Sequence, residues 1–140
     1  MIIADTGAVL ALVNKSDRQH QAVRAIYDED PDEWVLPWAI LPEVDYLIGT
    51  ELGARAQEVF FADLAGAAFT IEYGGDRDLV RAQQIDRQYR ALRLGLVDGI
   101  VMAMAERLRA RAIATLDLRH FGAVTLAGSP LLVPRDQALM

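Results

Sequence analysis

Cysteine is absent from the 140-residue chain, and Lys15 is its only lysine. The first absence excludes disulfides, thiolate zinc sites and a cysteine nucleophile. The second excludes phosphoryl-transfer sites that need a lysine late in a strand or in a G-x-x-x-x-G-K loop. The sequence also has no G-x-S-x-G and no H-E-x-x-H motif. Serine-hydrolase and zincin chemistries are thereby excluded, and acidic side chains remain as the main candidates for catalysis.

Long apolar runs are missing too. No stretch approaches the roughly 18–20 apolar residues that a membrane span requires. No basic segment stands ahead of Ile2 and Ile3, so we expect no signal peptide, no membrane partner and a cytoplasmic protein. A length of 140 residues with 53% apolar and 24% charged side chains predicts one domain, residues 1–140, with one sizeable core.

The charge is acidic and unevenly distributed. A net charge of −6 disfavours strong non-specific binding to nucleic acid. Residues 1–63 hold 12 acids against 4 bases, whereas residues 64–140 hold 8 acids against 10 bases. Acids that gather around divalent cations make the effective charge of a site less negative, so a polyanionic substrate stays possible.

The stretch from Leu94 to Phe121 predicts a helix followed by a strand, with an acid near each functional end. Asp98 precedes apolar residues with the spacing of a buried helix face, so it lies in a first turn, where a carboxylate favours the helix dipole. The strand 112–116 is followed directly by Asp117. In α/β sheets the carboxyl ends of the strands carry the sites, so two acids reach one edge.

Asp5 stands in the same relation to a first strand at residues 1–4. An aspartate in this position commonly serves only as a helix N-cap. Its placement relative to Asp98 and Asp117 favours a site residue instead.

A fourth acid is predicted on the helix that Pro42 begins. Glu43 and Asp45 are about 200° apart around that helix, so both cannot address one metal. We choose Glu43 because it is closer to the helix N-terminus, and we expect Asp45 to be a surface or partner-binding acid.

Short apolar strands alternate with helical patterns along the whole chain, which predicts an α/β fold with a mostly parallel sheet and helices on both faces. The strands are predicted at residues 1–4, 34–36, 69–72 and 112–116, with a final edge strand drawn from residues 124–126 and 131–133. A long helix is predicted over residues 76–92.

Four carboxylates predict an oxygen-rich site suited to Mg²⁺ or Mn²⁺. The predicted ligands are Asp5, Glu43, Asp98 and Asp117. Thr6 and Thr115 flank two of them, and their hydroxyls can orient the carboxylates. Such a cluster can hold a water nucleophile and neutralise charge on a phosphodiester. His120 is then unnecessary as a general base.

These motifs resemble the PIN-domain ribonucleases, and more closely the VapC-type toxins of toxin–antitoxin pairs. The resemblance rests on Asp5-Thr6, Pro42-Glu43, Leu96-Val97-Asp98 and Thr115-Leu116-Asp117 before Arg119-His120-Phe121, and it covers essentially the whole chain. It implies a PIN-like α/β/α sandwich with a five-stranded sheet and a homodimer. It also implies a Mg²⁺- or Mn²⁺-dependent endoribonuclease that hydrolyses tRNA or rRNA with metal-activated water. A VapB-type antitoxin, whose tail fills the groove, would inhibit it.

Two other functions stay open. One is a housekeeping PIN-type nuclease of RNA processing without an antitoxin, and the other is a binding module whose acids only hold a cation. Contact of RNA with the arginine stripe Arg87, Arg90 and Arg93 is likewise open.

The acidic groove predicts a cationic inhibitor, whose arginine or lysine would replace the metal. The helices at 41–52 and 55–64, with Trp38, Phe60 and Phe61, are the predicted docking place for the antitoxin's apolar helix.

Overall fold

A computed structural model describes residues 1–140. Five parallel strands form one sheet in the order β3-β2-β1-β4-β5. The strands are β1 (Ile2–Ala4), β2 (Trp34–Pro37), β3 (Thr70–Glu72), β4 (Ala112–Ala114) and β5 (Leu131–Val133). The helices are α1 (Thr6–Val13), α2 (His20–Glu29), α3 (Leu41–Glu51), α4 (Ala54–Ala65), α5 (Asp76–Gln88), α6 (Gly95–Arg107) and α7 (Leu118–Phe121). The predicted α/β class with a parallel five-stranded sheet is confirmed.

The central strands explain why helices cover both faces of the sheet. All residues of β1 and β4 are buried, and strands buried on both faces read as continuous apolar runs. The main core contains 31 buried residues, including Ile2, Ile3 and Ile113. None of the seven helices is both long enough and apolar enough to cross a bilayer.

Two predicted elements are shorter than the sequence indicated. Of the predicted final edge strand, residues 131–133 are confirmed as β5, but residues 124–126 are not part of the sheet, and the backbone N–H of Thr125 donates to the Tyr89 hydroxyl at 3.2 Å. The predicted helix over residues 76–92 ends at Gln88, and a 3₁₀ turn at Arg90–Leu92 follows it.

Helix α6 is held at both ends against α5. Near its start, a Cβ on Gly99 would lie 3.1 Å from the Ala82 Cβ, so a glycine permits the close approach. Near its end, the Arg107 guanidinium donates to Asp78 at 2.7 and 2.9 Å and to Glu72 at 2.9 Å. These contacts fix the position of α6 and therefore of the acid in its first turn.

Candidate active site

Four predicted acids line one cavity at the carboxyl edge of the sheet, which we call the acid cavity. Asp5 follows β1 and Asp117 lies just beyond β4, its neighbour in the sheet. Asp98 lies in the first turn of α6 and Glu43 in the first turn of α3. The cavity has a volume of about 380 Å³ and is lined by Asp5, Thr6, Gly7, Leu10, Glu43, Leu47, Asp98, Leu116 and Asp117.

Asp5 is the most deeply buried of these acids, with 6% of its surface exposed. It caps α1 by accepting a hydrogen bond of 2.9 Å from the Ala8 N–H, and it also accepts one from the Thr115 hydroxyl. Burial raises its pKa to about 6, and the charges of Asp98 and Asp117 add to that rise. Capping and membership of the acid cluster are therefore combined in one side chain.

Asp98 and Asp117 meet at an imidazole. His120 Nδ1 lies 2.9 Å from Asp98 Oδ2 and 3.0 Å from Asp117 Oδ2. Burial raises the pKa of Asp98, and contact with His120 partly offsets that rise. The carboxylate of Asp117 also caps α7 by accepting from the backbone N–H of His120 at 3.1 Å.

His120 is the site residue that the sequence interpretation left out, since it treated the cluster as acids without a paired histidine. The available signal was the spacing Asp117-x-x-His120, which places the imidazole one helical turn from the acid. One ligand atom each from Asp98, Asp117 and His120 lies within 4.8 Å of the others, which is compact enough to hold a metal ion.

The two threonines differ in their contacts. The Thr115 hydroxyl donates to Asp5 and accepts from the backbone N–H of Asp117 at 3.0 Å, so it links two acids. The Thr6 hydroxyl is buried, lines the acid cavity and has no hydrogen-bond partner. A buried hydroxyl without a partner is unfavourable unless a ligand or water satisfies it.

Glu43 and Asp45 face different cavities. Glu43 is exposed, lines the acid cavity and lies close enough to Asp98 for its charge to raise the pKa of that acid. Asp45 instead accepts a hydrogen bond of 3.1 Å from the Gln57 side chain and lines a second, apolar cavity. The structure thus brings Glu43, and not Asp45, to the other three acids.

That second cavity, which we call the aromatic groove, has a volume of about 380 Å³. Its walls are Trp38, Leu41, Pro42, Asp45, Phe61, Leu64, Ala65, Ile71 and Tyr73. The rings of Trp38 and Tyr73 are stacked with centroids 5.1 Å apart, and both remain more than half exposed. Phe61 is also exposed, at 67%, but Phe60 is a core residue at 3%. Phe60 is therefore too buried to contact an antitoxin, so the prediction that it belongs to the docking surface is wrong.

The residues of the acid cavity suit a hard divalent cation. Carboxylate oxygens predominate, one imidazole adjoins them, and the Thr6 hydroxyl lacks a partner. Burial, with repulsion from neighbouring carboxylates as a smaller cause, raises the pKa values of Asp5 and Asp98 and so favours protonation or a bound cation. The arrangement therefore suits a divalent cation at an open edge.

Comparison with known proteins adds independent findings. The family model of the PIN domain matches residues 2–125. Over 127 residues the chain is 34% identical to Ribonuclease VapC26 of Mycobacterium tuberculosis, covering 91% of this chain and 94% of the relative.

Three solved structures resemble the fold. M. tuberculosis VapC20, described as a Sarcin-Ricin loop cleaving toxin, matches with a TM-score of 0.79 and 19% identity, covering 91% of this chain and 98% of that one. FitAcB from Neisseria gonorrhoeae matches with a TM-score of 0.64 and 17% identity, covering 94% of this chain and 96% of that one. DNA bound VapBC from Salmonella typhimurium matches with a TM-score of 0.67 and 14% identity, covering 94% of this chain and 95% of that one. At these identities the likeness establishes a shared fold.

Proposed function

The chain belongs to the PIN domain family, and from that premise we propose that it is a Mg²⁺- or Mn²⁺-dependent endoribonuclease, the toxin of a VapBC-type pair. The observation that carries the proposal is the gathering of Asp5, Glu43, Asp98 and Asp117 in one cavity at the carboxyl edge. The 34% identity to a ribonuclease over nearly the whole of both chains supports it. We take residues 1–140 as one nuclease unit.

Asp5, Glu43, Asp98 and Asp117 would hold the cation. When bound, the cation would neutralise charge on a phosphodiester and lower the pKa of a water that attacks phosphorus. Carboxylate oxygens are the expected ligands for such a hard divalent cation.

The remaining side chains position these acids. Thr115 fixes Asp5 through its hydroxyl and Asp117 through its main-chain contact. His120 holds Asp98 and Asp117 at one imidazole nitrogen, which restricts the rotamers of both. Leu10, Leu47 and Leu116 line the cavity and restrict the water around it, which strengthens electrostatic interactions inside.

The proposed inhibitor is a VapB-type antitoxin that occupies the aromatic groove with an apolar helix and reaches the acid cavity with a cationic tail. The stacked Trp38 and Tyr73 and the exposed Phe61 supply the apolar contact area. The names of two solved structures that share the fold, VapBC from S. typhimurium and FitAcB, describe complexes of two proteins, which supports a protein partner. We further propose a cytoplasmic homodimer whose substrate is tRNA or rRNA.

The test is cleavage of total tRNA and rRNA by the purified protein, with RNA ends sequenced after brief exposure. Mg²⁺ or Mn²⁺ should support cleavage, excess EDTA should stop it, and Asp98→Asn should lose at least 100-fold in rate. Asp45→Asn, on the same helix as Glu43 but outside the acid cavity, is the matched control.

Three results would contradict the proposal, each differently. Full activity in EDTA that is lost in His120→Ala would indicate metal-free acid–base cleavage. Metal binding without any cleavage would indicate a cation-holding module. Cleavage by a protein that no antitoxin inhibits would indicate a housekeeping nuclease.

A further inference from the structure

We propose that four arginines beside the acid cavity bind the RNA backbone and guide it to the catalytic acids from the β5 side of the sheet. We call Arg87, Arg90, Arg93 and Arg119 the basic flank. The inference rests on the proposed ribonuclease function and adds the residues that hold its substrate.

The first observation is local charge. The chain carries −6 overall, yet residues 87–97 contain three arginines and no acid. Residues 118–135 contain Arg119 and Arg135 and again no acid. Both segments therefore repel a polyanion less than the acidic residues 1–63 do.

The second observation is that the fold joins these two segments. At one end, His120 of the second segment contacts Asp98, which directly follows the first segment, at 2.9 Å. At the other end, the backbone N–H of Thr125 donates to the Tyr89 hydroxyl at 3.2 Å. Two contacts across 22 and 36 residues thus hold the two segments together, and the segments adjoin Asp98 and Asp117 of the acid cavity in the chain.

The third observation is that these arginines are available. Several arginines elsewhere are committed to close ion pairs, as Arg81 is with Glu106 at 2.6 Å and Arg107 with Asp78 at 2.7 Å. Within the basic flank only Arg90 has an acidic neighbour, Asp86, at the long distance of 4.0 Å. All four flank arginines are exposed.

Their spacing also suits a phosphate backbone. Arg87 lies in the last turn of α5, Arg90 begins the 3₁₀ turn and Arg93 follows it, so the three recur every three residues along the chain. The backbone N–H of Arg93 donates to the carbonyl of Arg90 at 3.1 Å, which fixes the last two. Arg119 lies on α7 between the two site residues Asp117 and His120. A guanidinium binds phosphate in a directed, multidentate manner.

The basic flank supplies the positive charge that the acid cavity lacks for binding RNA. Four carboxylates repel the phosphates that they must cleave, and a cation there neutralises only the local charge. On the other side of α3, the aromatic groove contains an acid and no base, so it offers no attraction to RNA. Binding energy for the polyanion must come from elsewhere, and the basic flank, whose Arg119 lies between Asp117 and His120, is an exposed source of positive charge beside the site.

The experiment compares two triple variants that change the net charge equally. The test variant carries Arg87→Gln, Arg90→Gln and Arg93→Gln. The control carries Arg18→Gln, Arg55→Gln and Arg77→Gln, which are exposed arginines without ion pairs in other parts of the chain. The probe is a fluorescein-labelled 20-nucleotide single-stranded RNA of mixed sequence, titrated at several salt concentrations in EDTA. Cleavage of total tRNA and rRNA is measured in Mn²⁺.

The test variant should bind the probe at least 10-fold more weakly, with the slope of log K against log salt lower by about 2, at roughly 0.7 per lost phosphate contact. Its KM should rise by a similar factor with kcat kept, and Arg→Lys changes at the same three positions should restore the salt slope but only part of the binding. Arg119→Gln should act in the same direction with a slope change of about 0.7.

Equal losses of RNA binding in the test and control variants would overturn the proposed role of the basic flank, because such losses would reflect net charge alone. A wild-type protein that does not bind the probe would overturn it as well. Failure of the ribonuclease assignment is distinguishable, since it is an absence of cleavage in Mn²⁺, whereas the flank is measured by binding without metal.

Discussion

Replacing Asp5 with asparagine should stabilise the metal-free protein at neutral pH. The pKa of Asp5 rises from 3.8 to about 6 because the carboxyl is buried. Between those values the folded state keeps a proton that the unfolded chain has released, so the free energy of unfolding falls as pH rises through this window. At 1.36 kcal/mol per pKa unit, the charged Asp5 lowers the free energy of unfolding by about 3 kcal/mol above pH 7.

Asparagine carries no charge and can keep both contacts of Asp5. Its carbonyl can accept from the Ala8 N–H, and its amide can donate to the Thr115 oxygen, which has a second lone pair. Because hydrogen bonds to a carboxylate are stronger than those to an amide, we expect a net gain of about 1–3 kcal/mol. For this chain length the gain corresponds to a rise in Tm of roughly 3–9 °C.

The assay is thermal unfolding in EDTA from pH 4 to pH 8. The difference in Tm between Asp5→Asn and wild type should be near zero at pH 4 and largest above pH 7, and Mn²⁺ should raise the Tm of the wild type more. Asp136→Asn is the control of opposite sign, because Arg135 and the Leu132 N–H hold the pKa of Asp136 at about 2. The charged form of Asp136 stabilises the fold above pH 4, and this is lost as pH falls through 2. An Asp5→Asn protein that melts below the wild type at pH 8 in EDTA would refute the reasoning.

Three further outcomes are expected. Glu43→Gln should reduce RNA cleavage at least 10-fold and Asp45→Asn should not, since only the former lines the acid cavity; the reverse result in a rate assay would mean that the wrong acid of α3 was assigned. His120→Ala should reduce cleavage or Mn²⁺ affinity by roughly 10–100-fold because it releases Asp98 and Asp117, and unchanged Mn²⁺ titrations and rates would leave His120 without that role. An antitoxin tail peptide should bind more weakly as Mn²⁺ rises and after Arg→Ala in the tail, whereas fluorescence titrations insensitive to both would disprove competition between the tail cation and the metal.

The positions of the acids were predictable because parallel strands end at one edge. Asp5 and Asp117 follow buried strands, and Asp98 opens a periodic helix, so one topological rule brings them together. The choice of Glu43 over Asp45 needed only the helical angle. Their roles in catalysis stay predictions.

Features without a periodic pattern were not predictable. Helix α7 has four residues, too few to show a period, so the position of His120 relative to Asp98 depends on a tertiary contact. Phe60 and Phe61 are adjacent and differ only by one step of rotation on α4, which decides between core and surface. The segment 124–126 resembles a strand in composition, but a hydrogen bond to Tyr89 takes it out of the sheet.

Helix α3 separates the acid cavity from the aromatic groove, with Glu43 and Leu47 on one side and Pro42 and Asp45 on the other. This shared wall limits how such a toxin can evolve. If the antitoxin occupies the aromatic groove as proposed, a substitution that shifts α3 to exclude it also moves Glu43, so resistance to the antitoxin and loss of activity arise together. Lineages can escape inhibition more freely through Phe61 or Tyr73, which border the groove without touching the acid cavity. Covariation between toxin and antitoxin should therefore concentrate at these outer aromatic positions.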